Sequence, residues 1–204
     1  MTPNVAVVIL AAGASSRMGV PKQLIPWGNT SLLNHVIHTA STLDVEVHVI
    51  LGARNTMINP ELPKIKNVHS HINQYWEKGI GNSIAFAVST LADLKLDGIL
   101  FLLGDQPFVT KAYLEEMIEE FKLNTTAIIV SKFKGNFGVP ALFASEYFSE
   151  LLALNGDIGA KHIIKKHTDK LITMVADQYI RDIDTLIDYK DAHDIQFGKS
   201  PTDL

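Results

Sequence analysis

The chain contains no cysteine. Disulfides and thiolate metal centres are therefore excluded. It also lacks any excess of positive charge: 18 Lys and Arg stand against 22 Asp and Glu, for a formal net charge of -4. No basic footprint for nucleic acid follows from that balance, and no polybasic run is available for an anionic membrane. No apolar run approaches the roughly 18 residues that span a bilayer. The apolar stretch at 5–10 has the length of a strand and no basic segment before it, so it reads as strand one and not as a signal peptide. A cytoplasmic location is expected, in keeping with the missing cysteine. The chain shows no repeat, no low-complexity tract and no long linker. GxGxxG and Walker patterns are absent too, which argues against a dinucleotide-dependent dehydrogenase and a P-loop enzyme.

What is present is an ordinary globular composition of 204 residues, 47% apolar and 20% charged. A chain of about 200 residues buries roughly 70% or more of its unfolded surface, enough for one sizeable core. Strands are expected at 5–10, 45–51, 68–72, 98–104, 126–133, 141–143 and 170–176. Several are nearly continuous in Val, Ile and Leu, the pattern of strands covered on both faces. Helical periods fall at 31–43, 82–94, 111–122 and 185–195, the last opened by Asp184 or Thr185 as cap. The alternation predicts a three-layer α/β domain over 1–198, a mostly parallel sheet with helices on both faces, and a flexible tail at 199–204. Ligands of such a sheet bind beyond the carboxyl ends of its strands. Residues 134–143, KGNFGVPALF, break the rhythm and are expected to form a turn and a short antiparallel strand.

The loop after strand one, LAAGASSRMGVPK (10–22), combines small residues with Arg17 and Lys22. Small residues let backbone amides approach an anion, and Gly13 and Gly19 tolerate unusual backbone angles. An arginine forks onto phosphate oxygens, and a lysine adds a point charge. A polyphosphate would explain all of this; a flexible turn with two solvated cations is the plainer alternative. Asp105 follows the apolar strand in GILFLLGDQPFVT (98–110), either as a metal ligand or as a turn residue before a helix. Asp182 and Asp184, in YIRDIDTLIDY (179–189), share a face of an extended segment, unless Asp184 merely caps the last helix. Asn82 and Ser83, in EKGIGNSIAFAV (77–88), either contact a ligand or cap a helix. His35 and His38 on a helix, and His69 and His71 on a strand, have no third ligand arranged with them, so Zn²⁺ is not expected. Trp27 and Trp76 read as packing residues.

The segment LAAGASSRMGVPKQLIPWGNTSLL (10–33) resembles the N-terminal signature of the MobA-like nucleotidyltransferases, L-A-A-G-x-S-x-R-M-G-x-x-K. The resemblance implies a Rossmann-like fold of the nucleotide-diphospho-sugar transferase type. It implies that a nucleoside triphosphate sits on Leu10, Ala11, Ala12, Gly13, Ser16, Arg17, Gly19 and Lys22, with Arg17 and Lys22 on its phosphates. GDQP resembles the family's Mg²⁺-binding motif, so Gly104 adjoins the nucleotide and Asp105 holds the metal. Asp184 completes the metal site by the same resemblance, with Asp182 as substitute, and Asn82 and Ser83 contact the nucleotide. GNFGVPALF and GDIGAKHII are similar to segments of the molybdenum cofactor cytidylyltransferase branch. That places the second substrate near Gly138, Pro140, Gly156, Asp157, Gly159 and Lys161. Two positions depart from the pattern: Val139 stands where a polar residue is common, and Lys161 where arginine is usual. The activity implied is transfer of CMP from CTP to molybdopterin cofactor, with Mg²⁺, for a xanthine-dehydrogenase-type partner. A guanylyltransferase for the same cofactor, a sugar-phosphate nucleotidylyltransferase and a carrier without turnover are the alternatives.

Overall fold

The computed structural model describes residues 2–198 and 201. The expected tail at 199–204 therefore lies outside the described residues, Pro201 apart. In chain order the elements are β1 (Val5–Ala11), β2 (Pro26–Trp27), β3 (Thr30–Ser31), α1 (Leu32–Ser41), β4 (Glu46–Leu51) and α2 (Asn55–Ile58). There follow β5 (Val68–Ile72), α3 (Ile80–Thr90), β6 (Gly98–Leu103), α4 (Lys111–Leu123), β7 (Ile128–Phe133) and β8 (Asn136–Ala144). The chain ends with α5 (Phe148–Leu152), α6 (Lys161–Lys166), β9 (Leu171–Val175) and α7 (Leu186–Phe197).

Seven strands form one sheet in the order β5-β4-β1-β6-β8-β7-β9. β8 is antiparallel to both neighbours, and every other pairing in this sheet is parallel. Successive side chains of β1 point to opposite faces, yet none of its residues is more than 7% exposed. Both faces are thus covered, and β1 touches α1 on one element and α3 on another. Each fully buried Val, Ile or Leu of such a strand contributes roughly 1.5–3 kcal/mol. From β1 the chain builds outward through β4 to β5, then returns to place β6 on the other side of β1. The loops after β1 and β6 consequently leave the sheet side by side, at the reversal where open α/β sheets bind ligands. There the Gly104 amide donates to the Leu10 carbonyl at 3.1 Å.

Two local expectations are corrected, and a third that was left open is decided. β8 runs for nine residues and not three. A register shift at Val130/Ser131 leaves Val139 and Pro140 outside the ladder, so the missing proline N–H costs no ladder bond. α3 begins at Ile80 with Gly79 as its cap residue; Asn82 and Ser83 lie inside the first turn and are not caps. At α7 the cap is Thr185, which forms a reciprocal capping box with Asp188. Asp184 is left free of capping by its side chain.

A satellite core lies beside the main one. Met18 from the β1 loop, Ile25, Trp27 and Leu32 pack with Ile183, Tyr189 and Ala192. The Tyr189 hydroxyl donates to the Pro26 carbonyl at 2.7 Å. This cluster fastens the C-terminal segment over the β1 loop. Among the described residues no helix is long and apolar enough to cross a membrane.

Candidate active site

The β1 loop is held by a side chain that the sequence reading overlooked. Gln23 is 3% exposed and lies in the middle of a short 3-10 turn, between Lys22 and Leu24. Its Nε2 donates to the carbonyls of Ala11 and Gly13, both at 2.9 Å. Its Oε1 accepts from Ser15 Oγ at 3.2 Å, and that same Oγ accepts the Lys22 N–H at 3.1 Å. Two loop carbonyls are turned onto one buried amide, so the trans peptides direct the amides of Ala12 and Ala14 away from it. Positive φ falls on Ser15 (56°) and Gly19 (71°), and Gly13 does not need it. Gln23 carried no recognisable signal beyond its position next to Lys22. Gln23→Ala strands two carbonyls, a cost of about 1–3 kcal/mol. We expect nucleotide Kd, measured by calorimetry, to rise about tenfold, and Gln23→Glu to give no rescue because a carboxylate donates nothing.

Lys22, Asp105 and Asp184 converge at the end of this loop. The Lys22 ammonium donates to Asp105 Oδ2, to Asp184 Oδ1 at 3.0 Å and to the Ile183 carbonyl at 3.3 Å. The Arg17 guanidinium approaches Asp184 Oδ2 at 3.4 Å and is otherwise exposed. Burial works against the Lys22 charge, but Asp105 and Asp184 outweigh it and hold its pKa above the usual lysine value. Burial raises the Asp105 carboxyl above its ordinary range, and Lys22 offsets that in part. Asp182 goes elsewhere, accepting from the buried Gln106 Nε2 at 2.8 Å. Of the two acids, Asp184 is the one brought onto Lys22 and Arg17.

The opposite wall of the cleft is built on α3. Buried Asn73 donates to Asn82 Oδ1 at 3.1 Å and to Ser83 Oγ at 3.2 Å, joining both predicted residues in one polar group. Gly79 (φ 94°) is pressed against Gly156 and Asp157, where a Cβ would collide with backbone. The loop carrying Gly156 and Gly159 is thereby seated on the start of α3, with the Gly81 amide donating to the Gly156 carbonyl at 2.8 Å. Trp76 lies against the backbone of Gly52 and faces the cleft, a role not foreseen for it.

The cleft has a volume of about 400 Å³. Of the predicted residues, Leu10, Ala11, Ala12, Gly13, Lys22, Ser83, Gly104, Asp105 and Asp157 line it. Ser16, Arg17, Gly19, Asn82, Gly138, Pro140, Gly156, Gly159, Lys161 and Asp184 do not. Ser16, Arg17 and Gly19 form the exposed rim of the loop. Gly138 and Pro140 lie in β8, where the Pro140 carbonyl accepts from Ser131 Oγ at 2.6 Å. Lys161 opens α6 and is exposed.

Does this donor set fit a divalent metal? Among the described residues no group of three or more His, Cys, Asp or Glu could enclose an ion. Two carboxylates do converge on one cationic group, and Asp105 Oδ1 is buried without a partner among the described residues. One or two carboxylates completed by phosphate oxygens are how Mg²⁺ is usually held beside a nucleotide. The residues therefore fit a metal that arrives with phosphates.

A domain model described as the MobA-like NTP transferase domain matches residues 7–171. Purine catabolism protein PucB of Bacillus subtilis (strain 168) is 31% identical over 172 residues, covering 80% of this chain and 82% of that protein. Among solved structures, Rv0371c of Mycobacterium tuberculosis H37Rv aligns with a TM-score of 0.82 at 27% identity, covering 94% of this chain and 97% of that one. A further structure, Rv0371C in complex with manganese, aligns with a TM-score of 0.77 at 25% identity, covering 92% and 97%.

Proposed function

This chain belongs to the MobA-like NTP transferase family and is a nucleotidyltransferase; from that premise we propose that it transfers CMP from CTP to the terminal phosphate of molybdopterin cofactor. The observation that carries the site assignment is the convergence of Lys22, Asp105 and Asp184 where the β1 loop meets the end of β6.

The acceptor phosphate oxygen attacks the α-phosphorus in line. The bond from that phosphorus to the bridging oxygen breaks, and pyrophosphate leaves with the electron pair. A phosphate monoester is already ionised near neutral pH, so no protein base is required. The chain must instead bring two anions together and stabilise the charge that develops. The β1 loop presents its backbone to the triphosphate. Lys22 and Arg17 neutralise phosphate oxygens, and Asp105 and Asp184 would hold Mg²⁺. When bound, the metal supplies charge neutralisation at the phosphates. Ser83 and Asn82, tied together by Asn73, orient the nucleoside along α3. Asp157 and the Gly156–Gly159 loop border the acceptor side.

The choice of CTP and molybdopterin rests on the GNFGVPALF and GDIGAKHII segments. PucB is named for purine catabolism, and xanthine is a purine, which agrees with an acceptor destined for a xanthine-dehydrogenase-type hydroxylase. The manganese complex of Rv0371C agrees with a divalent metal. We place the reaction in the cytoplasm, where such a partner would receive the product.

The test gives the purified protein Mg²⁺, molybdopterin cofactor and CTP, GTP, ATP or UTP separately, with products identified by mass. A cytosine dinucleotide formed only with CTP is the expected result. A dinucleotide with another base would overturn the choice of CTP. No product with any of the four would overturn the acceptor, and a panel of sugar phosphates would then be assayed.

A further inference from the structure

Lys22 spans both carboxylates of the candidate metal pair. Its ammonium meets three oxygens, from Asp105, Asp184 and the Ile183 carbonyl. Its side chain is only 18% exposed. Its backbone is fixed, because the N–H is bonded to Ser15 Oγ and the residue opens a 3-10 turn. The side chain alone can move, on a flexible four-carbon stem. Mg²⁺ takes its oxygens at about 2.0–2.1 Å. A divalent cation on the oxygens that the ammonium holds would lie within a few ångströms of it, and the two like charges repel.

We propose that Lys22 is an internal stand-in for the divalent cation, so that metal entry requires its ammonium to swing off Asp105 and Asp184 onto the nucleotide phosphates. The inference rests on the metal assignment made above. Without the phosphates, an expelled ammonium gives up the two carboxylates it holds, and the metal gains little by displacing one cation with another. With them, both cations are satisfied. Metal and nucleotide therefore bind with positive coupling, and linkage makes that coupling reciprocal. The device also keeps the buried Asp105 carboxylate compensated at every stage, which matters because a buried charge left unpaired is strongly destabilising. Arg17 is less suited to the role: it is largely exposed and reaches only Asp184.

The test is Mn²⁺ binding, followed by the electron paramagnetic resonance signal of the free ion, for the wild-type chain and for Lys22→Met, Lys22→Gln and Asp105→Asn. With Mn²⁺ alone, both Lys22 variants are expected to bind about tenfold or more tightly than wild type, the scale of a typical coupling. Addition of α,β-methylene-CTP is expected to raise the affinity of every chain that keeps Asp105, and to raise that of the wild type clearly more than that of the Lys22 variants. Lys22 variants that bind no tighter than wild type, while Asp105→Asn still loses the ion, would overturn the stand-in and leave the metal site intact. An equal gain from the analogue in all chains would overturn it as well. Mn²⁺ binding unchanged in Asp105→Asn would overturn the metal assignment, and both readings with it. Should neither Lys22 variant fold, lysine ¹⁵Nζ resonances of the wild-type chain decide. The Lys22 signal is expected to shift when Mg²⁺ and the analogue are both present, and an unmoved signal overturns the proposal.

Discussion

Asp105→Asn is expected to lower turnover by about a thousandfold or more while leaving the fold intact. On the proposed metal assignment, the substitution forfeits several kcal/mol of transition-state charge stabilisation, and each 1.36 kcal/mol is a factor of ten in rate. The asparagine is nearly isosteric, so the end of β6 keeps its packing. Lys22 retains Asp184 and the Ile183 carbonyl as partners. Circular dichroism and a melting curve close to wild type, beside a collapsed kcat, are the combined expectation. Asp182→Asn is the control, because Asp182 is engaged by Gln106 and not by Lys22; its rate is expected to fall far less. A wild-type rate in Asp105→Asn would sink the metal assignment.

Trp27→Ala is expected to cost about 3–5 kcal/mol of stability, the range for removing a large buried aromatic side chain. Trp27 is 1% exposed. Its ring meets Phe108, His193 and Phe197 edge-on, with centroids 5.8, 5.9 and 5.3 Å away. For a chain of this size the melting temperature is expected to fall by roughly 6–20 °C. Activity is expected to fall too, since the same cluster holds Met18 of the β1 loop and Ile183 beside Asp184. Among the described residues Trp27 Nε1 has no hydrogen-bond partner, so Trp27→Phe removes volume and none of these bonds, and its cost should be clearly smaller. Ile187→Ala is the reference on α7: that side chain is 73% exposed and its loss should be nearly silent. An unchanged melting temperature in Trp27→Ala would mean that the satellite core does not hold the C-terminal segment.

The sequence by itself determined the central strands of the sheet, because a strand covered on both faces must be apolar at every position, as β1 and β6 are. It located the β1 loop, where small residues and two cations stand together, and Asp105 at the end of an apolar strand. It marked the start of α7, where the choice between Asp184 and Thr185 was left to the capping geometry. These are signals within a few residues of one another, and local chemistry suffices to read them. Other features are long-range. Lys22 and Asp184 are 162 residues apart in the chain, and no local pattern says that they meet; only the order of the strands and the satellite core bring them together. The same holds for Gln23, whose partners are backbone carbonyls, and for Asn73, whose amide ties Asn82 to Ser83. β8 was under-read because its bulge hides Pro140 from the ladder, an arrangement that depends on β7. His48 escaped notice as a neighbour of His71, with Nδ1 to Nε2 at 3.0 Å, since the pairing of β4 with β5 sets them face to face. Burial and periodicity are written along the chain, but the distance between two polar groups is set by how the sheet is wound, and that decided which acid faces Lys22.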